Sequence, residues 1–345
     1  MKSWWPRQAP PRSPSGASPP GGRHQRTGEA RSAVAREGAA HQAEQVLRRL
    51  EWKVIRRLDG LLQGDYRTLL RGSGLDLADL REYQLHDDVR HIDWNVTARL
   101  QQPHVRVFTE DRDMSAWFLL DLSPSVDFGS GEQRKRTVSA EFVAVLARLL
   151  TRHGNRAGAL LYGNGVEAVI PPRSGRRHVL HLLHAMLDCQ PAASGPTRLQ
   201  DLLGAAAGMI KRRSTVFVVS DFISEPGWDR TLARLAQRHE VVAVRVLDPL
   251  ELELPDLGLL TLRDAETGEQ LVVDTHDAGF RRRFARIAAQ REAELRAALA
   301  GSGVDALELA TDADLVDAIV RFVEMRRRRS ALGAGGLPAH LRRAA

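Results

Sequence analysis

The chain has 345 residues, of which 43% are hydrophobic, a content that suits one large globular domain or two smaller ones. No stretch approaches the roughly 18 uninterrupted apolar residues that a membrane span needs, and arginines and prolines stand near the N-terminus where a signal peptide has its apolar core. Cys189 is the only cysteine, which excludes an intrachain disulfide and a thiolate zinc site. We therefore expect a cytoplasmic protein without a membrane span.

The formal net charge of +7 is concentrated at the two ends of the sequence. Residues 1–41 contain seven Lys or Arg and two Glu, and residues 325–345 contain six Arg and no acid, so the residues between them are net acidic. Basic tails can bind nucleic acid, and this is one alternative function. Solvated ends explain the same composition more simply, so nucleic-acid binding is not the function that we favour.

The first 110 residues divide into a tail and a helical segment. Residues 1–41 are rich in Pro, Gly, Ser and Arg and are predicted to be a disordered basic tail. Residues 42–59 place apolar side chains on one face at helical spacing, which predicts an amphipathic helix. The rest of the segment 42–110 is dense in glycine and paired charges, and we expect it to be irregular and fixed by side-chain hydrogen bonds.

From residue 111 to residue 325 short apolar runs alternate with amphipathic segments. Beta-branched runs separated by amphipathic helices are typical of a parallel sheet covered on both faces. The predicted fold is therefore α/β, with a mostly parallel sheet, a hairpin insertion near 258–274 and a basic C-terminal tail at 326–345. The predicted strands are 104–110, 115–123, 156–172 as a hairpin, 215–222, 241–248, 259–274 as a second hairpin and 304–312; the predicted helices are 131–154, 175–188, 197–214, 227–240, 278–303 and 313–330.

An apolar strand ends abruptly in the sequence "DLSPS", residues 121–125. In an extended segment residues i, i+2 and i+4 point the same way, so Asp121, Ser123 and Ser125 can converge on one point. Ligands of an open parallel sheet bind at the carboxyl ends of its strands, where the strand order reverses. One carboxylate and two hydroxyls form an oxygen-only half-shell, which suits Mg²⁺ better than zinc.

Two further residues complete a recognisable set. Thr197 stands just before a predicted helix, and Asp221 ends a second apolar strand. The set Asp121, Ser123, Ser125, Thr197 and Asp221 resembles the metal-ion-dependent adhesion site of von Willebrand factor A domains. That resemblance implies that the serines ligate the metal directly and that the threonine and acids bind it directly or through water. It also implies an open coordination position, filled by an acidic side chain of a protein partner, and a site that can stand empty without one.

A simpler interpretation of the same residues is local capping. Ser123 and Ser125 could cap a helix that begins near residue 132, and Asp221 could cap the helix that follows it. The pattern Asp-x-Ser-x-Ser is weak alone, and its conjunction with the ends of apolar strands is what favours the metal site.

The residues before the sheet carry a second resemblance. The stretch from Arg71 to Arg99 reads "RGSGLDLADLREYQLHDDVRHIDWNVTAR" and is similar to the pattern of the bacterial family called domain of unknown function 58. The similarity continues with less specificity to about residue 325. Leu85 and His86 stand where the family usually has Pro-Gly, so the sequence departs from the family pattern at that turn. The resemblance implies a MoxR-type AAA+ ATPase as partner and a role as its adaptor in assembling or remodelling other proteins.

The charged residues of that stretch are interpreted as a structural or docking motif. Opposite charges at close spacing favour a network of ion pairs and hydrogen bonds, with Tyr83 and Trp94 as packed anchors. The motif comprises Arg81, Glu82, Tyr83, Asp87, Asp88, Arg90, Asp93, Trp94 and Arg99. An alternative is a second metal site formed by His86, Asp88, His91 and Asp93.

Enzymatic function is weighed against binding. The sequence has no Gly-x-Ser-x-Gly elbow and no phosphate-binding loop of the Gly-x-x-x-x-Gly-Lys-Ser/Thr type, so we expect neither a serine hydrolase nor an ATPase. A metal-dependent phosphoesterase or nuclease that uses Asp121 and Asp221 remains an alternative. We favour a non-enzymatic, Mg²⁺-dependent protein-binding adaptor with no small-molecule substrate.

Overall fold

The computed structural model describes residues 41–58, 79–84, 89, 92–107, 115–189, 197–265 and 267–334. The predicted N-terminal tail lies outside these ranges except for its last residue. The helices of the described residues are α1 (41–58), α2 (Trp94–Leu100), α3 (Lys135–Arg152), α4 (Arg176–Asp188), α5 (Leu199–Met209), α6 (Trp228–Ala236), α7 (Ala278–Gly301) and α8 (Leu315–Ala334). The strands are β1 (Asp79–Glu82), β2 (His104–Val107), β3 (Ser115–Asp121), β4 (Arg156–Tyr162), β5 (Val166–Arg173), β6 (Thr215–Ser220), β7 (Glu240–Leu247), β8 (Leu259–Arg263), β9 (Gln270–Asp274) and β10 (Asp305–Ala310).

The main sheet has six strands in the order β10-β7-β6-β3-β4-β5. Neighbouring strands are parallel except β4 and β5, which form the predicted hairpin. Strand β5 lies at an edge of the sheet and carries Pro171 and Pro172. The chain winds outward in one direction from β3 and in the other from β6, so the strand order reverses between these two neighbours. The predicted α/β fold of the von Willebrand factor A type is confirmed by this order.

Helices cover both faces of the sheet, as predicted. Alternate residues of β3 point to opposite faces, so Phe118 and Leu120 join one apolar cluster whereas Leu119 joins the other. The first cluster is closed by apolar side chains of α1, α3, α4 and α8. The second is closed by those of α5, α6 and α7. Because both faces are covered, the ends of the strands are where this sheet offers polar groups to solvent.

The predicted amphipathic helix is confirmed as α1, with one irregularity. Its buried face, which includes Leu47, Leu50 and Leu58, belongs to the core cluster on the α3 side of the sheet. Residues Glu51–Ile55 form a π-helical turn, a local widening of the helix that apolar periodicity does not predict. Ion pairs tie the helix to the sheet domain, including Arg148 Nε to Glu51 Oε1 at 2.6 Å.

The segment between α1 and the sheet is more regular than predicted. Strands β1 and β2 pair antiparallel in a separate two-stranded sheet, and α2 lies between them along the chain. Strand β2 was predicted to belong with the main sheet. Strands of four residues are too short to show a clear alternation, and their partners are distant in sequence, so local patterns do not reveal the pairing.

The hairpin insertion is confirmed, whereas the start of the C-terminal tail needs correction. Strands β8 and β9 pair antiparallel within the predicted range 258–274. Helix α8 continues to Ala334, four residues past the end predicted for this helix, so residues 326–334 belong to it rather than to the tail. The physical reason is Arg326, which is buried and pairs with Asp305 and Glu240 at the start of two strands. Among the described residues, no helix is both long and apolar enough to cross a membrane.

Candidate functional site

Two buried acids stand side by side at the carboxyl edge of the sheet. Asp121 is the last residue of β3, and Asp221 directly follows β6. These two strands are parallel neighbours, with Leu120 opposite Val219. The acids therefore lie at the reversal of strand order, which is the position that the sequence predicted for the site.

Asp121 is held from both of its carboxylate oxygens. Its Oδ1 accepts a hydrogen bond from the backbone N–H of Ser123 at 3.0 Å, and its Oδ2 accepts one from the hydroxyl of Ser220 at 2.7 Å. Burial, and then the nearby charge of Asp221, raises the pKa of Asp121 to about 6. A cation beside this carboxylate would favour its charged form.

Ser123 and Ser125 converge as the alternation of an extended segment predicts. Both are buried, and their Oγ atoms lie 3.1 Å apart. The intervening Pro124 begins a short 3₁₀ turn, Pro124–Asp127, which fixes the backbone between them. Two cis ligands of an octahedral Mg²⁺, each at about 2.1 Å from the ion, are about 3 Å apart. The two hydroxyls are hydrogen-bonded to each other in this structure, and the same separation of their oxygens fits that edge.

The capping interpretation is not what the structure has. Helix α3 begins at Lys135 and its N-cap residue is Arg134; among the described residues, no side chain caps it. Helix α6 has Gly227 at its N-cap, so Asp221 does not cap it either. The two serines and the acid are therefore committed to the sheet edge rather than to helix ends.

Thr197 is tied to the loop that follows Asp221. It is buried and precedes α5. Its carbonyl oxygen accepts hydrogen bonds from the hydroxyl of Ser224 at 2.9 Å and from the N–H of Glu225 at 3.0 Å. The structure thus brings all five predicted residues to the same edge, three through direct bonds in the β3 loop and two through the β6 loop.

A buried lysine, which the sequence analysis missed, contacts the second acid. Lys135 is fully inaccessible to solvent, and its Nζ donates to Asp221 Oδ2 at 2.8 Å and to Glu251 Oε1 at 2.6 Å. The other oxygen of Asp221 accepts from the N–H of Ile223 at 3.0 Å. Burial by itself lowers the pKa of Lys135, but the charges of Asp221 and Glu251 more than offset it and the pKa is raised. The ammonium therefore stays charged.

A signal for Lys135 was present in the sequence. Lys135 stands between Arg134 and Arg136, and residue type alone does not distinguish it from these two basic neighbours. Only Lys135 shares the buried stripe of α3 with Val138, Ser139 and Phe142, at spacings of three, four and seven. A charged residue on an apolar stripe needs a partner, and helical phase could have pointed to it.

A second network, also missed, supports the lysine from behind. Asp248 follows β7 and is fully buried. Its carboxylate accepts hydrogen bonds from the hydroxyl of Ser130 at 2.6 Å and from that of Thr311 at 2.8 Å. Glu251 closes a capping box with Asp248, accepting from its N–H at 3.1 Å. These bonds hold the pKa of Asp248 below its usual value against the effect of burial.

The oxygen atoms of the candidate site fit one hard cation, provided that serine hydroxyls serve as ligands. The described residues contain no cluster of three or more His, Cys, Asp or Glu side chains that could hold a metal, so an ion here depends on hydroxyl oxygens. Ser123, Ser125 and Asp121 supply the oxygen half-shell that Mg²⁺ accepts. Asp221 already binds an ammonium, so its contribution to the ion would be outer-sphere.

The predicted docking motif lies only partly within the described residues. Asp87, Asp88 and Arg90 fall outside them, and Arg81 is described by its backbone alone, in β1. Glu82 and Tyr83 are at the end of β1 and just after it; Tyr83 is half-buried and its N–H donates to the carbonyl of Pro103 at 2.8 Å. The predicted network of ion pairs around these residues stays a prediction.

Two residues of the motif have other roles than predicted. Trp94 is 70% exposed, so it is not a packed anchor; as the first residue of α2 it points away from the core. Asp93 is buried and caps α2, accepting from the N–H groups of Asn95 at 3.0 Å and Val96 at 3.2 Å. Arg99 is exposed in the last turn of α2. Of the alternative second metal site, His86, Asp88 and His91 lie outside the described residues.

Comparisons with known proteins identify relatives of the chain. The family described as "Protein of unknown function DUF58" matches residues 79–294. An uncharacterised protein of Mycobacterium tuberculosis is 39% identical over 288 residues, which is 83% of this chain and 90% of that protein. An uncharacterised protein of Mycobacterium avium is 39% identical over 165 residues, which is 48% of this chain and 97% of that protein.

Solved structures of low sequence identity resemble the sheet domain. BatB, a conserved hypothetical protein from Bacteroides thetaiotaomicron, matches at 12% identity with a TM-score of 0.39, over 62% of this chain and 99% of that one. The SpRpn10 VWA domain matches at 12% identity with a TM-score of 0.34, over 66% of this chain and 100% of that one. The strand order of the sheet, rather than these distant likenesses, defines the fold.

Proposed function

The chain belongs to the DUF58 family of proteins of unknown function, and from that premise we propose that it is a non-enzymatic, Mg²⁺-dependent protein-binding adaptor that works with a MoxR-type AAA+ ATPase. The ion is held by Asp121, Ser123 and Ser125, with Thr197 and Asp221 in support. A carboxylate of the partner completes the coordination. The proposal places the adaptor in the cytoplasm, where ATP is present for an ATPase partner.

The geometry of the two serines carries this proposal. Their hydroxyl oxygens are spaced as neighbouring ligands of one octahedral ion and lie beside a buried carboxylate. Hydroxyls that bind a metal are not poised as nucleophiles. Each acid also accepts two hydrogen bonds from the protein, and Asp221 is ion-paired, so neither is set up as a general base. Binding uses these groups as they stand, whereas catalysis requires at least one of them to be released.

The surroundings of the site suit a protein surface. Phe128 follows the 3₁₀ turn of the β3 loop, and Ile223 belongs to the β6 loop. They are 40% and 49% exposed, respectively, so apolar surface is accessible beside the polar centre. An acidic residue flanked by apolar ones, as on a folded partner, matches this combination better than a small polar molecule does.

The resemblance of the stretch from Arg71 to Arg99 to the family pattern supplies the partner class. We test it with purified full-length chain and a MoxR-type AAA+ ATPase from the same genome, captured in Mg²⁺ or in EDTA. Capture is expected in Mg²⁺ and not in EDTA. Ser123→Ala removes one ligand and should abolish Mg²⁺-dependent capture.

The control for this variant is Ser139→Ala. Ser139 is as buried as Ser123, but its hydroxyl donates to the backbone carbonyl of Lys135 within α3. The Ser139→Ala variant should capture the ATPase in Mg²⁺ as the wild type does. Equal capture by wild type and Ser123→Ala, or capture that is unaffected by EDTA, would contradict the role of the site. Mg²⁺-dependent turnover of a generic phosphoester that disappears in Asp221→Ala would favour the enzymatic alternative instead.

A further inference from the structure

The metal site has a cation of its own. The ammonium of Lys135 is fully buried and lies between two carboxylates, 2.8 Å from Asp221 and 2.6 Å from Glu251. Asp221 is one of the two acids that the proposed function assigns to the ion. A buried charge of this kind persists only where its partners are fixed, and removing one partner leaves the other uncompensated.

Both ends of Lys135 are anchored. Its backbone N–H donates to the carbonyl of Phe128 at 2.9 Å, which ties the start of α3 to the loop that carries the two serines. Glu251 is held in turn, because its second carboxylate oxygen accepts from the N–H of Asp248 at 3.1 Å. Asp248 is fully buried and bonded to Ser130 and Thr311. The ammonium therefore cannot leave Asp221 without breaking bonds that span three strand ends.

Asp221 has little capacity left for a metal. One of its oxygens accepts from Lys135 and the other from the N–H of Ile223 at 3.0 Å. A divalent ion placed beside Ser123 and Ser125 also meets the repulsion of the ammonium, which solvent does not screen at a buried position. The inner coordination sphere would then draw on Asp121, whose two oxygens each accept one hydrogen bond, and on the neutral hydroxyls.

We propose that Lys135 is a permanent internal counter-ion of the site, which keeps Asp221 out of the inner coordination sphere and holds the affinity for the metal low until a partner carboxylate completes the shell. This inference rests on the proposed function. Its consequence is that metal and partner bind together: each is weak alone and each strengthens the other by the same factor.

The test measures metal binding directly, by calorimetric titration of the full-length chain with Mn²⁺ as the probe. Lys135→Met is expected to bind Mn²⁺ at least about tenfold more tightly than the wild type, because a like charge is gone and Asp221 is released. Arg148→Met, which removes a cation that pairs with Glu51 away from the site, is the control and should leave the affinity unchanged. Circular dichroism establishes that each variant is folded.

A second pair of variants covers the case in which Lys135→Met does not fold. The double variant Lys135→Met with Glu251→Gln removes the ammonium together with one of its two acids and should also bind Mn²⁺ more tightly than wild type. Glu251→Gln alone leaves Asp221 as the one carboxylate of this pair that neutralises the ammonium of Lys135, and it should weaken Mn²⁺ binding.

The outcomes separate this inference from the proposed function. Wild-type affinity in the folded lysine variants and in Glu251→Gln, or weaker binding in the lysine variants, would overturn the counter-ion role while leaving the site intact. No Mn²⁺ binding by wild type and by Lys135→Met would instead contradict the proposed metal site itself.

Discussion

Lys135 Nζ lies 2.8 Å from Asp221 Oδ2, and both side chains are almost completely excluded from solvent. The lysine belongs to the first turn of α3 and the acid to the loop after β6, so the pair joins parts of the chain 86 residues apart. The pair places a fixed positive charge beside the candidate site. The same pair has consequences for folding as well as for binding.

Lys135→Met is expected to lower the free energy of unfolding by about 3–5 kcal/mol, because it leaves the buried Asp221 and the partly buried Glu251 without their cation. Urea denaturation of the metal-free chain measures it. Arg198→Met is the matched control, since the pair of Arg198 with Glu225 at 3.2 Å is exposed and should contribute no more than about 1 kcal/mol. Equal losses of unfolding free energy in the two variants would show that the buried lysine pair contributes no more to stability than the exposed pair does.

Arg326 should be structurally required although it lies at the start of the predicted basic tail. Its Nε is 2.9 Å from Asp305 Oδ2, it also pairs with Glu240, and its own side chain is almost fully buried. Arg326→Ala is expected to cost about 3 kcal/mol or more of unfolding free energy. Arg328→Ala, an exposed position two residues later, should stay within about 0.5 kcal/mol of wild type. Similar denaturation midpoints for both variants would refute this assignment.

His239 should make stability depend on pH. It is 5% exposed, and neither ring nitrogen has a hydrogen-bond partner among the described residues. Burial, and then the charge of Arg238, lowers the pKa of His239 below its usual 6.5. The folded state therefore resists protonation that the unfolded state accepts, and stability is lost as pH falls below about 6.5.

The measurement compares urea denaturation of wild type and His239→Leu at pH 7.5 and pH 5.5. The variant removes the titrating group, so it should lose less stability between the two values than wild type does. Equal losses would mean that His239 protonates as readily in the folded chain as in the unfolded one.

Two glycines should respond to alanine in opposite directions. A Cβ on Gly158 in β4 would lie 2.8 Å from the carbonyl oxygen of Ile170 and 2.9 Å from the backbone nitrogen of Pro172, so Gly158→Ala should destabilise by about 1–3 kcal/mol. A Cβ on Gly204 in α5 meets nothing within 4 Å, and Gly204→Ala should stabilise by up to about 1 kcal/mol. Thermal unfolding of the two variants checks both, and a stabilised Gly158→Ala would show that β5 moves aside freely.

The sheet and its two acids were predictable because their signals are local. Apolar runs that end at Asp121 and Asp221 mark strand ends, and the parallel arrangement brings such ends to one edge. The convergence of Ser123 and Ser125 follows from the two-residue period of extended chain. The exposed position of Trp94 was not predictable in the same way. An aromatic residue in a charged stretch suggests a packed anchor, and the local sequence does not show whether its side chain faces the core or solvent.

The long-range partners were the part that sequence could not supply. Lys135 finds Glu251 across 116 residues, and Arg326 finds Glu240 across 86. Nothing local distinguishes these basic residues from their exposed neighbours except helical phase. The pairing of β1 with β2 was also missed, since α2 separates these two short strands along the chain and only tertiary structure brings them together.

Strand β5 also limits the addition of a further strand at one edge of the main sheet. Pro171 and Pro172 lack backbone N–H groups, so this margin of the main sheet cannot serve as a full template for an added strand. Edge-to-edge pairing of copies is therefore disfavoured at β5, whereas β10 forms the opposite edge of the main sheet. Under the proposed function, recognition uses the loops that carry Asp121 and Asp221, where a partner would meet fixed side chains rather than an incomplete strand ladder.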